Sequence, residues 1–193
     1  MQSTDPENRQ PAADDGIRFL LNGRPVCVSS GAPTQSLLTY LREQQRLTGT
    51  KEGCAEGDCG ACTVVIGELA EDEVVLSAIN ACICFVPTLQ GKAVFTVEYL
   101  RRQNGGTLHP VQQAMVDQHG SQCGFCTPGF VMSLWSLYNQ HLATDTRPPR
   151  HEIRSALSGN LCRCTGYKPI LQAAEAMFEA PQCRWTRPNC VNN

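Results

Sequence analysis

The sequence predicts an α+β fold in two parts: a small sheet with one short helix over residues 17–97, then an all-α part of four helices over residues 98–180. Three observations carry this. Short β-like runs separated by turn signals fill the first part. Apolar residues at helical spacing fill the second. Finally, two Cys-Thr motifs in the second part each precede a helix with an early proline.

In chain order, residues 17–21 and 25–28 flank Asn22-Gly23, a pair suited to a two-residue hairpin because both residues tolerate positive φ. Thr34 is positioned to cap a short helix with Leu37, Leu38 and Leu41 on one face. The glycine-rich stretch 53–62 reads as a loop. Residues 63–66 and 74–76 read as strands across an acidic turn (Glu68, Glu71, Asp72, Glu73), and residues 94–97 as the last strand. Pro110 opens a helix carrying Val111, Ala114 and Met115, which ends at Gly120. Thr127-Pro128 caps and opens a second, through residue 138. Residues 145–149 form a loop, residues 152–157 a third helix, and Pro169 starts a fourth with Ile170, Ala173, Ala174 and Met177. Helix, QCGFCTPG, helix and then helix, LCRCTGYKP, helix reads as a pseudo-two-fold repeat that brings two cysteine pairs together. Residues 1–16 read as a polar, disordered leader and residues 181–193 as an irregular tail.

Hydrophobic residues make up 41% of the 193 and charged residues 18%, the balance of a globular protein. A net charge of −2 argues against a partner held by bulk charge, such as nucleic acid or a membrane surface. The polar N-terminus resembles neither a secretory signal nor a transit peptide, so a reducing, cytoplasmic location is expected. There, 12 cysteines are better explained as metal ligands than as disulfides.

Cys54, Cys59 and Cys62 have the spacing C-x4-C-x2-C, the plant-type [2Fe–2S] pattern, with Cys82 and Cys84 both available as the fourth ligand. Such a cluster needs four thiolates, three of them reachable from one tight loop, and glycines let backbone N–H groups turn toward the sulfurs. Cys123-x2-Cys126 and Cys162-x-Cys164 supply a second set of four thiols, fit for tetrahedral zinc or for a second iron–sulfur cluster. Among the remaining cysteines, Cys27 reads as a buried strand residue, and Cys183 and Cys190 lie in the unpatterned tail. His109 and His119 flank a helix, with His119 a surface residue at its C-terminal end. Nucleotide, phosphate and hydrolase motifs are absent, so electron transfer or metal binding fits the chain better than chemistry on an organic substrate.

Together, KEGCAEGDCGACTVV, SAINAC, LHPVQQA, GSQCGFCTPGFVMS and SGNLCRCTGYKPIL resemble the iron–sulfur region of the xanthine dehydrogenase/aldehyde oxidase family of molybdenum hydroxylases. The LHPVQ and SQCGFCTPG segments look most like the small subunit of a bacterial xanthine dehydrogenase. The resemblance implies a β-grasp, plant-type ferredoxin-like domain followed by a four-helix domain, each with one [2Fe–2S] cluster in place of zinc. It implies Cys54, Cys59, Cys62 and Cys82 as ligands of the first cluster, and Cys123, Cys126, Cys162 and Cys164 as ligands of the second. It also implies that Gln122 and Cys164 approach the pterin of a molybdenum cofactor on a large partner subunit. Electrons would then pass from molybdenum through the helical-domain cluster and the ferredoxin-like cluster to FAD. The tail resembles no start of a flavin domain, so FAD is expected on a separate polypeptide or on a missing part of the small subunit.

Overall fold

A computed structural model describes residues 16–183 and 185. The expected leader, apart from its last residue, lies outside the described residues, as does Cys190.

Strands β1 (Ile17–Leu21) and β2 (Arg24–Val28) pair antiparallel across Asn22 and Gly23, whose φ values of 52° and 77° are the left-handed pair that a tight hairpin requires. Helix α1 (Leu37–Thr39) runs on into a π-turn over Tyr40–Gln44. Its cap is Ser36, not the expected Thr34: the Ser36 hydroxyl accepts the Thr39 N–H at 3.1 Å. Strands β3 (Thr63–Ala70) and β4 (Glu73–Asn80) form a longer hairpin than expected. Only Glu71 and Asp72 make the turn, while Glu68 and Glu73 stand in the strands as exposed residues. After a 3-10 turn at Val86–Leu89, β5 (Ala93–Phe95) inserts between β1 and β3. It runs parallel to β1 and antiparallel to β3, giving a mixed five-stranded sheet in the order β2-β1-β5-β3-β4.

Residue 97, expected at the end of the last strand, instead opens helix α2 (Val97–Gln103), which the sequence reading missed. A helix of seven residues offers too little periodicity to register beside a short strand. With α2, helices α3 (Pro110–Asp117), α4 (Thr127–Thr144), α5 (Arg150–Ala156) and α6 (Lys168–Ala176) make five among the described residues of this part, where four were expected. Thr127 is the first residue of α4, and Cys126 occupies the cap position. Among the described residues no helix is long and apolar enough to cross a membrane.

Packing explains the unbroken apolar run at the start of β3. Val64 and Ile66 face one side of the sheet and join Phe19, Leu37, Leu38, Tyr40 and Leu41. Val65 faces the other side and joins Phe95, Trp135, Tyr138 and Ile170. Both faces are covered, so alternation gives way to VVI. Helix α4 is buried from Gly129 through Asn139 because it lies between the sheet and the other helices. One face of the sheet therefore shares a core with the helices of the second part, and the other face forms a second core with α1. Cys27 corrects an expectation: β2 is an edge strand, and its alternation turns this side chain outward, where it is exposed.

Candidate metal centres

The loop before β3 is folded around its own sulfurs. The N–H groups of Asp58 and Cys59 donate to Cys54 Sγ at 3.3 and 3.4 Å, and that of Gly57 donates to Cys82 Sγ at 3.2 Å. Asn80 holds the loop in place, its Nδ2 donating to the Gly57 carbonyl at 2.6 Å. A Cβ at Gly53 would stand 2.7 Å from Cys59 Sγ, so only glycine leaves room for that sulfur. Backbone hydrogen bonds from Glu56, Cys59 and Asp58 lower the Cys54 thiol to about 6.

Sheet register places Cys82 and Cys84 differently. Thr63 pairs with Asn80, which brings Cys62 beside the turn that follows β4, and the Ala81 N–H donates to the Cys62 carbonyl at 3.3 Å. Cys82 is thereby placed at the loop, its Sγ accepting the Gly57 N–H and its thiol among the groups that act on Cys62. Cys84 continues away from the loop, with its Sγ 3.6 Å from the Thr88 hydroxyl and its carbonyl accepting the Leu37 N–H at 2.7 Å.

Cys54, Cys59, Cys62 and Cys82 thus gather at one place, where Cys59 acts on Cys54 and both Cys82 and Cys59 act on Cys62. The helical half gathers a second four: Cys162 and Cys123 act on Cys126, and Cys123 and Cys162 act on Cys164. Cys123 and Cys126 lie on the loop that enters α4, and Cys162 and Cys164 on the loop that enters α6. Packing of α3 on α4 and α6, and of α5 on α4 and α6, brings the two loops together, as the pseudo-two-fold reading expected. Position at a helix N-terminus favours negative charge near Cys126. The Thr165 hydroxyl lies 3.2 Å from Cys162 Sγ. Burial tends to raise Cys162, but Thr165 and the Cys164 backbone outweigh it and the thiol is lowered.

Each set gathers four thiols, and a two-iron cluster takes four thiolates. Burial pushes both Cys62 and Cys126 up to about 12, helped by their partners Cys82 and Cys162. Such thiols stay protonated unless a bound cation balances their charge. Both donor sets therefore fit a [2Fe–2S] cluster.

Exposure differs between the two loops. Gln122, Cys123 and Cys164 are exposed beside exposed Phe125 and Leu161, whereas Cys62 is buried. The sequence reading missed the roles of two buried residues. Asn160 is buried between the loops, and His109 is a buried helix cap rather than a bland flanking residue. The Ser-Gly-Asn run ahead of Cys162 was the available signal for the first, and the His-Pro helix start for the second.

Comparison with known proteins agrees with this geometry. Residues 19–87 match the family model of the 2Fe-2S iron-sulfur cluster binding domain, and residues 96–175 match that of the [2Fe-2S] binding domain. Xanthine dehydrogenase of Emericella nidulans is 48% identical over 178 residues, 91% of this chain and 12% of that protein. Aldehyde oxidase 3 of Mus musculus is 44% identical over 174 residues, 88% of this chain and 12% of that protein. The chain thus spans only about an eighth of the length of these relatives. A chain of quinoline 2-oxidoreductase from Pseudomonas putida 86 superposes with a TM-score of 0.73 at 35% identity, covering 85% of this chain and 93% of that one. With both cysteine loops in place and likeness of this extent, the chain belongs to the xanthine dehydrogenase/aldehyde oxidase family of molybdenum hydroxylases.

Proposed function

We propose that this chain is the electron-transfer component of an oxidoreductase, carrying electrons between a molybdenum cofactor and FAD that belong to other chains or domains of the same enzyme. Cys54, Cys59, Cys62 and Cys82 would hold one [2Fe–2S] cluster, and Cys123, Cys126, Cys162 and Cys164 the other. When bound, each cluster supplies one-electron transfer. The chain contributes the thiolates, the N–H donors that stabilise their charge, and the packing that holds the loops. Two gathered sets of four thiols, the first with backbone N–H groups donating to Cys54 and Cys82 sulfur, carry this reading.

The enzyme is a xanthine dehydrogenase-type purine hydroxylase, and this chain its iron–sulfur subunit or part of its small subunit. Similarity to xanthine dehydrogenases at up to 48% identity supports that assignment. The matches to an aldehyde oxidase and a quinoline oxidoreductase support a second reading, in which the partner chain acts on an aldehyde or another heterocycle. The exposed face around Gln122 and Cys164 meets the molybdenum-cofactor subunit. Gln122 can donate and accept hydrogen bonds there, and the Cys164 sulfur can accept one from a pterin amine.

Anaerobic reconstitution with iron and sulfide tests the electron-transfer reading. About four irons and about four sulfides per chain are expected, in a brown protein with two distinct reduced signals in electron paramagnetic resonance. A colourless product that takes up zinc instead would overturn it.

A further inference from the structure

The two cysteine loops meet at one buried amide. Asn160 is 4% exposed and stands two residues before Cys162. Its Nδ2 donates to the Gly60 carbonyl at 3.0 Å and to the Thr63 hydroxyl at 3.1 Å. Its Oδ1 accepts from the Ser133 hydroxyl at 2.7 Å. Gly60 lies between Cys59 and Cys62, Thr63 follows Cys62 at the start of β3, and Ser133 is on α4. One side chain therefore binds the first loop, the second loop and the central helix. Both its amide protons are used.

The backbones around it touch directly. The Leu161 N–H, between Asn160 and Cys162, donates to the Cys59 carbonyl at 3.0 Å. A Cβ at Gly60 would lie 2.3 Å from the Gly159 carbonyl oxygen, and one at Gly129 would lie 2.2 Å from the Gly60 carbonyl oxygen. No side chain larger than hydrogen fits at either place.

Cohesion between the halves does not need this network. Val65, Phe95 and Trp135 already join sheet and helices in one apolar core. A buried, fully satisfied polar cluster adds directionality that apolar packing lacks, because each bond holds only over a narrow range of distance and angle. We infer that Asn160 is a positioning residue: it fixes the spacing of the two cysteine loops and with it the electronic contact between the two metal centres. This rests on reading both loops as cluster sites.

The test uses the full-length chain reconstituted with iron and sulfide. It compares wild type, Asn160→Asp and Ser133→Ala by metal and sulfide content, thermal midpoint and low-temperature electron paramagnetic resonance of the reduced protein. Asn160→Asp keeps the shape and the acceptor for Ser133, but turns an oxygen toward the Gly60 carbonyl. It should retain iron and sulfide yet lose the magnetic splitting between the two reduced centres. Ser133→Ala removes a buried bond on the α4 side only, so it should lower the midpoint and keep the splitting. Wild-type splitting in Asn160→Asp, or equal loss in both variants, would overturn the role. Should Asn160→Asp fail to load, Thr63→Val removes one of the two donor contacts, and an unchanged splitting there is equally fatal. A wild-type chain that takes up no iron would refute the reading of the loops themselves. Two centres without splitting in the wild type would refute only the clasp.

Discussion

The imidazole Nε2 of His109 lies 3.3 Å from the carbonyl oxygen of Cys183, 74 residues further along the chain. The same ring accepts the Val111 N–H on Nδ1 at 3.3 Å, so the proton sits on Nε2 and is donated to Cys183. The His109 N–H in turn donates to Gln112 Oε1 at 3.1 Å, closing a box over the first turn of α3. Cys183 is anchored again by its own N–H, which donates to the Tyr138 hydroxyl at 3.1 Å. One buried ring thus starts a helix and holds Cys183.

This geometry makes stability depend on pH. Burial lowers His109 to about 4, with the Cys183 carbonyl opposing. Between about pH 6.5 and pH 4 the unfolded chain takes up a proton that the folded one refuses, so folding weakens as pH falls through that window. The full effect is on the order of 3 kcal/mol. His109→Asn, which does not titrate, should be less stable than wild type at pH 7.5 and lose less on acidification. Thermal unfolding at several pH values, followed by tryptophan fluorescence, measures the difference. Parallel pH profiles for the two proteins would refute the assignment.

Cys82→Ser should abolish one reduced-cluster signal and remove about half of the bound iron, because Cys82 Sγ reaches the first cysteine loop, where it accepts the Gly57 N–H. Cys84→Ser should leave both signals, since Cys84 sits against Thr88. Iron analysis and electron paramagnetic resonance of the two variants decide it, and the reverse pattern would rule out Cys82.

Phe95 joins the two halves. It is 1% exposed and lies 4.9 to 5.7 Å, centroid to centroid, from Tyr99, Trp135 and Trp185. Phe95→Ala leaves a cavity beneath α4 and should cost about 3–5 kcal/mol in chemical denaturation. A loss under about 1 kcal/mol would show that the aromatic group contributes little to the core.

Gln122 is exposed at the face proposed for the molybdenum-cofactor subunit. Gln122→Leu should load both clusters normally and unfold at the wild-type temperature. In the assembled enzyme it should slow substrate-driven reduction of the clusters, a step that stopped-flow absorbance follows. Wild-type rates in a normally assembled variant would show that Gln122 takes no part in that contact.

Features specified by neighbouring residues were legible in the sequence alone. Asn22-Gly23 dictates a tight hairpin, the prolines at 110, 128 and 169 mark helix starts, and the cysteine spacings outline two thiol sets, because turn, cap and loop chemistry act over a few residues. Only the tertiary structure could decide the rest. Cys27 faces outward because β2 is an edge strand, which depends on the strand order. Cys82 rather than Cys84 reaches the first cysteine loop because Thr63 pairs with Asn80. Asn160 reaches Gly60, 100 residues earlier in the chain, only because α4 brings the two loops together. Register and long-range packing are set jointly by residues far apart in the chain, and no local pattern records which distant partner each will meet.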